Sequence, residues 1–288
     1  MDAYTTLTST DSLASQLDRG YAIVDCRFDL KDDAWGRAQY RMSHIPGAVY
    51  ASLNDDLAGE RTGRNGRHPV PSIESLAATF GRLGIDTGAQ VIVYDQDSGL
   101  FASRLWWSLR YLGHRSVALL DGGWAKWVRE GRPVREGDET RRAAVFTPVP
   151  RPQMLVGIRE VTASIGDGAT LLVDARGPDR FEGRSETIDK VAGHIPGAQN
   201  HFYKWNLADD GTMLPPGMLR EHYLHLLDGR RPDQAVMYCG SGVSACHNLL
   251  SMAHAGLTGT PLYPGSWSEW SSDPARQIET GPARKPTR

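Results

Sequence analysis

The sequence predicts an α/β protein made of two similar units, each a parallel sheet flanked by helices. Short apolar segments such as AIVD at 22–25 and LLVD at 171–174 are typical of buried strands. Segments such as SIESLAATFGRLG at 72–84 carry apolar residues three and four positions apart, which indicates amphipathic helices. Because buried strands alternate with helices, parallel pairing in a layered α/β fold is favoured.

Four motifs occur twice, in the same order. The second copies follow the first by 143–150 residues, which indicates a duplicated unit. The pairs are AIVDCR (22–27) with LLVDAR (171–176), SHIPGA (43–48) with GHIPGA (193–198), VIVYD (91–95) with AVMYC (235–239), and DGGWAKW (121–127) with PGSWSEW (264–270). A charged, proline-containing segment without periodicity separates the copies. We therefore expect a first domain at 1–140, a linker at 141–153 and a second domain at 154–288.

Composition and charge argue against several classes of protein. The 288 residues include 32 Lys and Arg against 34 Asp and Glu, without long runs of one charge, which argues against a nucleic-acid partner. No apolar stretch approaches the length of a membrane span, and the N-terminal segment does not resemble a secretory signal. Three cysteines are too few for a disulfide framework and lack zinc-ligand spacing. We expect a cytoplasmic protein with no membrane partner, no metal and no cofactor.

Cys239 stands at a predicted corner between a strand and a helix. In AVMYCGSGVSACHNLL (235–250), the apolar AVMY precedes the cysteine, a glycine-rich turn follows it, and a helical pattern begins next. Helix N-termini and glycine-rich turns present N–H groups that stabilise an anion, so this position favours a thiolate nucleophile. The alternative is an inert, packed cysteine, which we prefer for Cys26 and Cys246.

Taken together, these motifs resemble the rhodanese superfamily, specifically its tandem two-domain sulfurtransferases, over essentially the whole chain. The resemblance implies two rhodanese-like domains and a Cys239 persulfide. That persulfide accepts sulfane sulfur from a small donor and passes it to a thiol, a thioredoxin-like protein or cyanide. At the position of Cys239 the first copy has Asp95, with Asp97 two residues further on. Carboxylates there would repel a thiolate or an anionic donor, so we expect the first domain to be catalytically silent.

The nucleophile loop suggests the donor. Its sequence, Cys-Gly-Ser-Gly-Val-Ser at 239–244, is similar to that of the 3-mercaptopyruvate-using branch and lacks the basic residues of the thiosulfate-using branch. The resemblance implies that Ser241 assists pyruvate departure and that Arg180 binds the donor carboxylate. It implies a second arginine before GHIPGA, a place for which Arg184 and Lys190 are the candidates, and a relay from His44 to the loop serine. The alternative for His44 is a structural role, because the HIPGA motif occurs in both copies. The loop residues expected to line the donor site are Gly240, Gly242, Val243 and Ser244.

Two other functions remain open, and a third is disfavoured. A thiosulfate:cyanide sulfurtransferase would use the same cysteine with another donor. A persulfide carrier or docking module would load sulfur once without steady turnover. A cysteine phosphatase would need an arginine six residues after the nucleophile, but residue 245 is alanine.

Overall fold

The computed structural model describes residues 3–96 and 98–283, which fall into two units. Unit 1 comprises Met1–Gly59, Val70–Arg151 and Leu207–Met213. Unit 2 comprises Glu60–Pro69, Pro152–Asn206 and Leu214–Arg288. The change at Arg151 lies inside the predicted linker, 141–153. No motif indicated that the ten residues Glu60–Pro69 would pack with unit 2.

The described part of unit 1 forms a five-stranded parallel sheet flanked by helices. The strands are β1 (Leu7–Thr8), β2 (Ala22–Asp25), β3 (Ala48–Tyr50), β4 (Val91–Tyr94) and β5 (Val117–Leu120), in the order β1-β5-β4-β2-β3. The helices are α1 (Thr10–Ala14), α2 (Trp35–Met42), α3 (Ile73–Arg82), α4 (Ala102–Tyr111) and α5 (Gly123–Arg129). Strands β2, β4 and β5 are buried along their full length, as their uninterrupted apolar sequences predict.

Unit 2 also has a parallel sheet flanked by helices, and its described sheet has three strands. Its described strands are β6 (Leu171–Asp174), β7 (Gln199–Asn200) and β8 (Ala235–Tyr238), all parallel, in the order β7-β6-β8. Its helices are α6 (Ile158–Ser164), α7 (Pro178–Phe181), α8 (Pro216–Leu227), α9 (Ser244–His254) and α10 (Ser266–Trp270). The predicted α/β fold class is confirmed.

Each unit has its own apolar core against its sheet. In unit 1 the core includes Ile23, Ile92 and Trp127, all at most 2% exposed. In unit 2 it includes Leu172, Tyr238 and Trp267. The second tryptophan motif therefore contributes a core side chain directly beside the Cys239 corner.

Local capping explains where two helices begin. Ser72 caps α3, because its hydroxyl accepts the Ser75 N–H at 3.1 Å. The cap of α1 is Ser9. Ser9 accepts the Ser12 N–H, and Thr10 is the first helical residue.

Among the described residues, no helix combines the length and the apolar character needed to cross a membrane.

Candidate active site

Cys239 follows β8 directly, and the turn after it directs a backbone amide at the sulfur. The Gly242 N–H lies 3.1 Å from Cys239 Sγ, a hydrogen-bond distance for sulfur. Gly242 has φ +74°, a left-handed conformation that glycine adopts without the steric cost of a Cβ. Val243 is buried just before α9, and Ser244 begins that helix. This corner can therefore stabilise negative charge on sulfur.

The start of α10 holds the nucleophile loop. The Cys239 N–H donates to Ser266 Oγ at 3.1 Å, and the Cys239 carbonyl accepts the Trp267 N–H at 2.9 Å. Ser266 is fully buried and has φ +54°, which costs energy for a residue with a Cβ. The strained serine thus fixes the backbone of the nucleophile. Its role was not apparent from the PGSWSEW motif that contains it.

Unit 1 has the same corner with an internal anion in place of sulfur. The Asp95 carboxylate accepts the N–H groups of Gly99 at 2.9 Å, Phe101 at 2.7 Å and Ala102 at 3.1 Å. The Asp95 carbonyl accepts the Trp124 N–H at 2.9 Å, matching the bond from Trp267 to Cys239. The amides that would receive an anion are therefore already satisfied. This supports the prediction of a silent first domain; Asp97 lies outside the described residues.

The repeated Asp-x-Arg motif is a buried scaffold in unit 2. Arg176 Nη2 lies 2.6 Å from Asp174 Oδ2 and 2.7 Å from the Gly193 carbonyl. Burial alone would lower the pKa of Arg176, but the charge and hydrogen bonds of Asp174 raise it above its ordinary value. His194 is also buried, its Nδ1 lies 2.7 Å from the Phe181 carbonyl, and burial lowers its pKa. These groups fix the end of β6 and the turn before β7.

Ser241 meets a histidine that the sequence did not indicate. His68 Nδ1 lies 2.8 Å from Ser241 Oγ, and the two residues are 2% and 6% exposed. His68 belongs to Glu60–Pro69, which packs with unit 2. The segment lies between β3 and α3, the place that Leu207–Met213 takes between β7 and α8 in the second copy. No sequence signal marked His68. A buried serine and histidine at this distance can pass a proton between them.

The relay expected for His44 is corrected accordingly. His44 is fully buried in unit 1, where its Nδ1 lies 2.8 Å from the Tyr40 carbonyl. Its ring stacks on Tyr40 at 4.3 Å between centroids. The histidine that contacts Ser241 is His68, because the segment 60–69, rather than the HIPG turn, reaches the loop.

Two guanidinium groups lie beside Gly240. A Cβ added at residue 240 would lie 3.1 Å from Arg67 Nη2 and 3.5 Å from Arg180 Nη2. Glycine at this position therefore permits the close approach of both side chains. The Arg67 and Arg180 side chains are 23% and 24% exposed.

Two buried carboxylates hold these arginines. Asp189 pairs with Arg67 and, at 3.0 Å, with Arg180. Glu186 accepts from Arg180 Nε at 3.0 and 3.1 Å. Burial raises the pKa of Glu186, but the N–H groups of Asp189 and Ile188 together with Arg180 outweigh burial and lower it. Glu186 is therefore ionised at neutral pH.

Arg184, the expected second arginine, does not join this group. Its side chain is 60% exposed and pairs with Asp179 and Glu182. The sequence prediction for Arg184 is corrected because Arg67, from a remote segment, accompanies Arg180 at Gly240 instead.

The other two cysteines are fully or nearly fully buried. Cys246 Sγ lies 3.2 Å from the Gly242 carbonyl, in the first turns of α9. In unit 1, burial raises the pKa of the Cys26 thiol well above its ordinary value, and the charge of Asp25 adds to this effect. Within the described ranges, no group of three or more His, Cys, Asp or Glu is arranged to hold a metal ion.

A model of the rhodanese-like domain matches the chain at residues 9–130 and 158–273. The chain belongs to the rhodanese family. The two matches reproduce the duplication read from the sequence, and the family prediction is confirmed. Cys239 lies within the second rhodanese match, and Asp95 lies within the first.

Several known proteins are similar to this chain over nearly its full length. A Pseudomonas aeruginosa protein named "Probable 3-mercaptopyruvate sulfurtransferase" is 43% identical over 96% of this chain and 98% of its own. A Mycobacterium tuberculosis protein, provisionally named thiosulfate sulfurtransferase SseB, is 40% identical over the same shares. The crystal structure of Escherichia coli SseA, a 3-mercaptopyruvate sulfotransferase, matches with a TM-score of 0.78 at 29% identity, covering 92% of this chain and 99% of SseA.

Proposed function

We propose that the protein is a sulfurtransferase that moves sulfane sulfur from 3-mercaptopyruvate to a thiophilic acceptor through a persulfide on Cys239. The observation that carries the proposal is the hydrogen bond from Gly242 to Cys239 Sγ, beside the Ser241–His68 pair. The relatives named for this activity support it.

In the first half-reaction, the Cys239 thiolate attacks the donor sulfur. The sulfur–sulfur bond forms as the carbon–sulfur bond of the donor breaks, and that electron pair passes to pyruvate as its enolate. One proton converts the enolate to pyruvate. The loop amide of Gly242 stabilises the sulfur anion before attack and after the persulfide ionises.

Ser241 and His68 supply the proton that pyruvate needs. Ser241 Oγ donates to the developing enolate oxygen or carbon, and His68, 2.8 Å away, returns the proton to the serine. A hydroxyl without charge suits this role, because it does not compete with the donor carboxylate for the cations at Gly240.

Arg180 binds the donor carboxylate. Its guanidinium lies against Gly240, one residue after the nucleophile, and Glu186 and Asp189 fix its orientation. A planar guanidinium matches a carboxylate in geometry and charge. The donor site is lined by the backbone of the same loop, at Gly240, Gly242, Val243 and Ser244.

In the second half-reaction, an acceptor attacks the outer sulfur and the Cys239 thiolate is regenerated. We propose a thiol, a thioredoxin-like protein or cyanide as acceptor, in the cytoplasm, with no nucleic acid, membrane, metal or other cofactor taking part.

The test is the mass of the protein after exposure to 3-mercaptopyruvate. We expect one added sulfur atom that acceptor thiol removes, no added sulfur in Cys239→Ser, and full loading in the control Cys26→Ser. Loading of Cys239→Ser to the wild-type extent would reject Cys239 as the sulfur carrier.

Thiosulfate is the second candidate donor, favoured by the name of SseB, which is 40% identical to this chain. Comparing kcat/KM for the two donors on one preparation decides between them. A persulfide carrier would instead load once and show no steady turnover with cyanide or a dithiol.

A further inference from the structure

The Arg67 guanidinium lies at the nucleophile loop, although none of the four repeated motifs contains Arg67. Its Nη2 would be 3.1 Å from a Cβ at residue 240, nearer than any atom of Arg180. Its buried Nε has no hydrogen-bond partner among the described residues. Nη1 of this cation is thus bound to Asp189, and Nη2 lies beside Gly240.

The backbone of Arg67 is fixed to the segment that also holds the nucleophile. The Arg67 N–H donates to Ser268 Oγ at 2.9 Å, and the Ser268 N–H donates to the Gly240 carbonyl at 2.9 Å. Gly66 has φ +85°, and a Cβ there would lie 2.7 Å from the Gly265 carbonyl oxygen. The close packing of these two glycines holds the guanidinium in place, as donor binding requires.

The two arginines at Gly240 and the two carboxylates that hold them have no net charge. Arg67 and Arg180 contribute two positive charges, and Glu186 and Asp189 contribute two negative charges at side-chain exposures of 3% and 5%. The carboxylates bind Arg67 Nη1 and Arg180 Nε and Nη2. Arg67 Nη2 and Arg180 Nη1, which would lie 3.1 and 3.6 Å from a Cβ at residue 240, are the donors left beside Gly240. A donor with one negative charge can use these donors. A second charge would enter a poorly solvated site whose cations are already neutralised, which is unfavourable.

We propose that Arg67 is a donor-binding residue, and that Asp189, by neutralising it, makes the site prefer singly charged donors over doubly charged ones. This inference rests on the proposed function of the same site. It assigns the preference for 3-mercaptopyruvate over dianionic thiosulfate to Asp189 as well as to the uncharged loop.

The first measurement is steady-state kinetics with both donors. We expect Arg67→Gln to raise KM for 3-mercaptopyruvate about tenfold, while kcat changes by less than about threefold, since the lost contact serves binding. We expect Asp189→Asn to raise the ratio of kcat/KM for thiosulfate to that for 3-mercaptopyruvate about tenfold. The control Arg64→Gln, an exposed arginine of the same segment, leaves both values unchanged.

The second measurement needs no turnover. Alkylation rates of Cys239 with iodoacetate, a monoanion, and with neutral iodoacetamide are compared by peptide mass mapping. The ratio of iodoacetate to iodoacetamide rates falls in Arg67→Gln and rises in Asp189→Asn. If Arg67→Gln does not fold, Arg67→Lys replaces it. That variant keeps the charge but loses the planar fork, so KM rises and the alkylation ratio stays near wild type.

The outcomes separate the inference from the proposed function. Wild-type protein that turns over neither donor rejects the proposed function, whereas the alkylation ratios still report on Arg67 and Asp189. An active wild type with unchanged KM in both Arg67 variants overturns the donor-binding role. An unchanged donor ratio in Asp189→Asn overturns the charge preference.

Discussion

His68 Nδ1 and Ser241 Oγ lie 2.8 Å apart although 173 residues separate them along the chain. Both are buried, and Ser241 is two residues from Cys239. The pair links a segment outside the repeated motifs to the loop that carries the nucleophile. In the proposed function it supplies the proton that pyruvate release needs.

His68→Asn is expected to lower kcat with 3-mercaptopyruvate about a hundredfold and to leave KM nearly unchanged, because general acid–base relays typically contribute this much to the rate. Ser241→Ala should behave alike, and the double variant should be little worse than either single variant. His222→Asn, an exposed histidine on α8, is the control. Full activity in His68→Asn would exclude the relay.

Ser266 variants should separate strain from function. Ser266→Ala keeps the φ of +54° and loses the bond to the Cys239 N–H, so we expect a loss of about 1–3 kcal/mol in the free energy of unfolding. Ser266→Gly relieves the backbone and should lose about 1 kcal/mol less. Both should lower kcat to a similar extent, as measured alongside urea unfolding. Wild-type kcat in Ser266→Gly would show that the serine only stabilises the fold.

The buried pair of Arg176 and Asp174 is expected to matter for stability. Arg176→Met leaves the Asp174 carboxylate buried and uncompensated, which costs about 3–5 kcal/mol in the free energy of unfolding. Arg184→Ala removes an exposed arginine and should change stability by less than about 1 kcal/mol. Chemical denaturation measures both. Equal stability of the two variants would contradict the scaffold role.

His201 should make the protein sensitive to mild acid. Burial lowers its pKa to about 4, below the value near 6.5 expected in the unfolded chain. Between pH 4 and pH 6.5 the unfolded state binds more protons than the folded state. The stability that depends on an uncharged His201 is therefore complete above about pH 6.5 and is lost as the pH falls towards 4. This difference in pKa corresponds to about 2–4 kcal/mol in the free energy of unfolding.

The measurement is the free energy of unfolding of the wild type and of His201→Gln between pH 4 and pH 7. The free energy of unfolding of the glutamine variant is expected to vary less with pH across this range, since the variant lacks the titrating ring. Parallel curves for the two proteins would show that other groups cause the acid sensitivity.

The sequence by itself determined the duplication, the α/β class and the corner at Cys239. These depend on local signals: uninterrupted apolar strands, helical periodicity and glycines beside a cysteine, all of which act within one element or its neighbours. Asp95 in the first copy also predicted which corner lacks the thiol, and its carboxylate does occupy the amides there.

The tertiary structure alone decided which distant side chains surround the nucleophile. His44 and Arg184 were expected at the site, but His68 and Arg67 lie there, because Glu60–Pro69 packs with unit 2. That packing depends on the close approach of Gly66 to Gly265 and on the bond from Arg67 to Ser268. Contacts between residues so far apart leave no periodicity or spacing in the sequence, so only the folded chain reveals them.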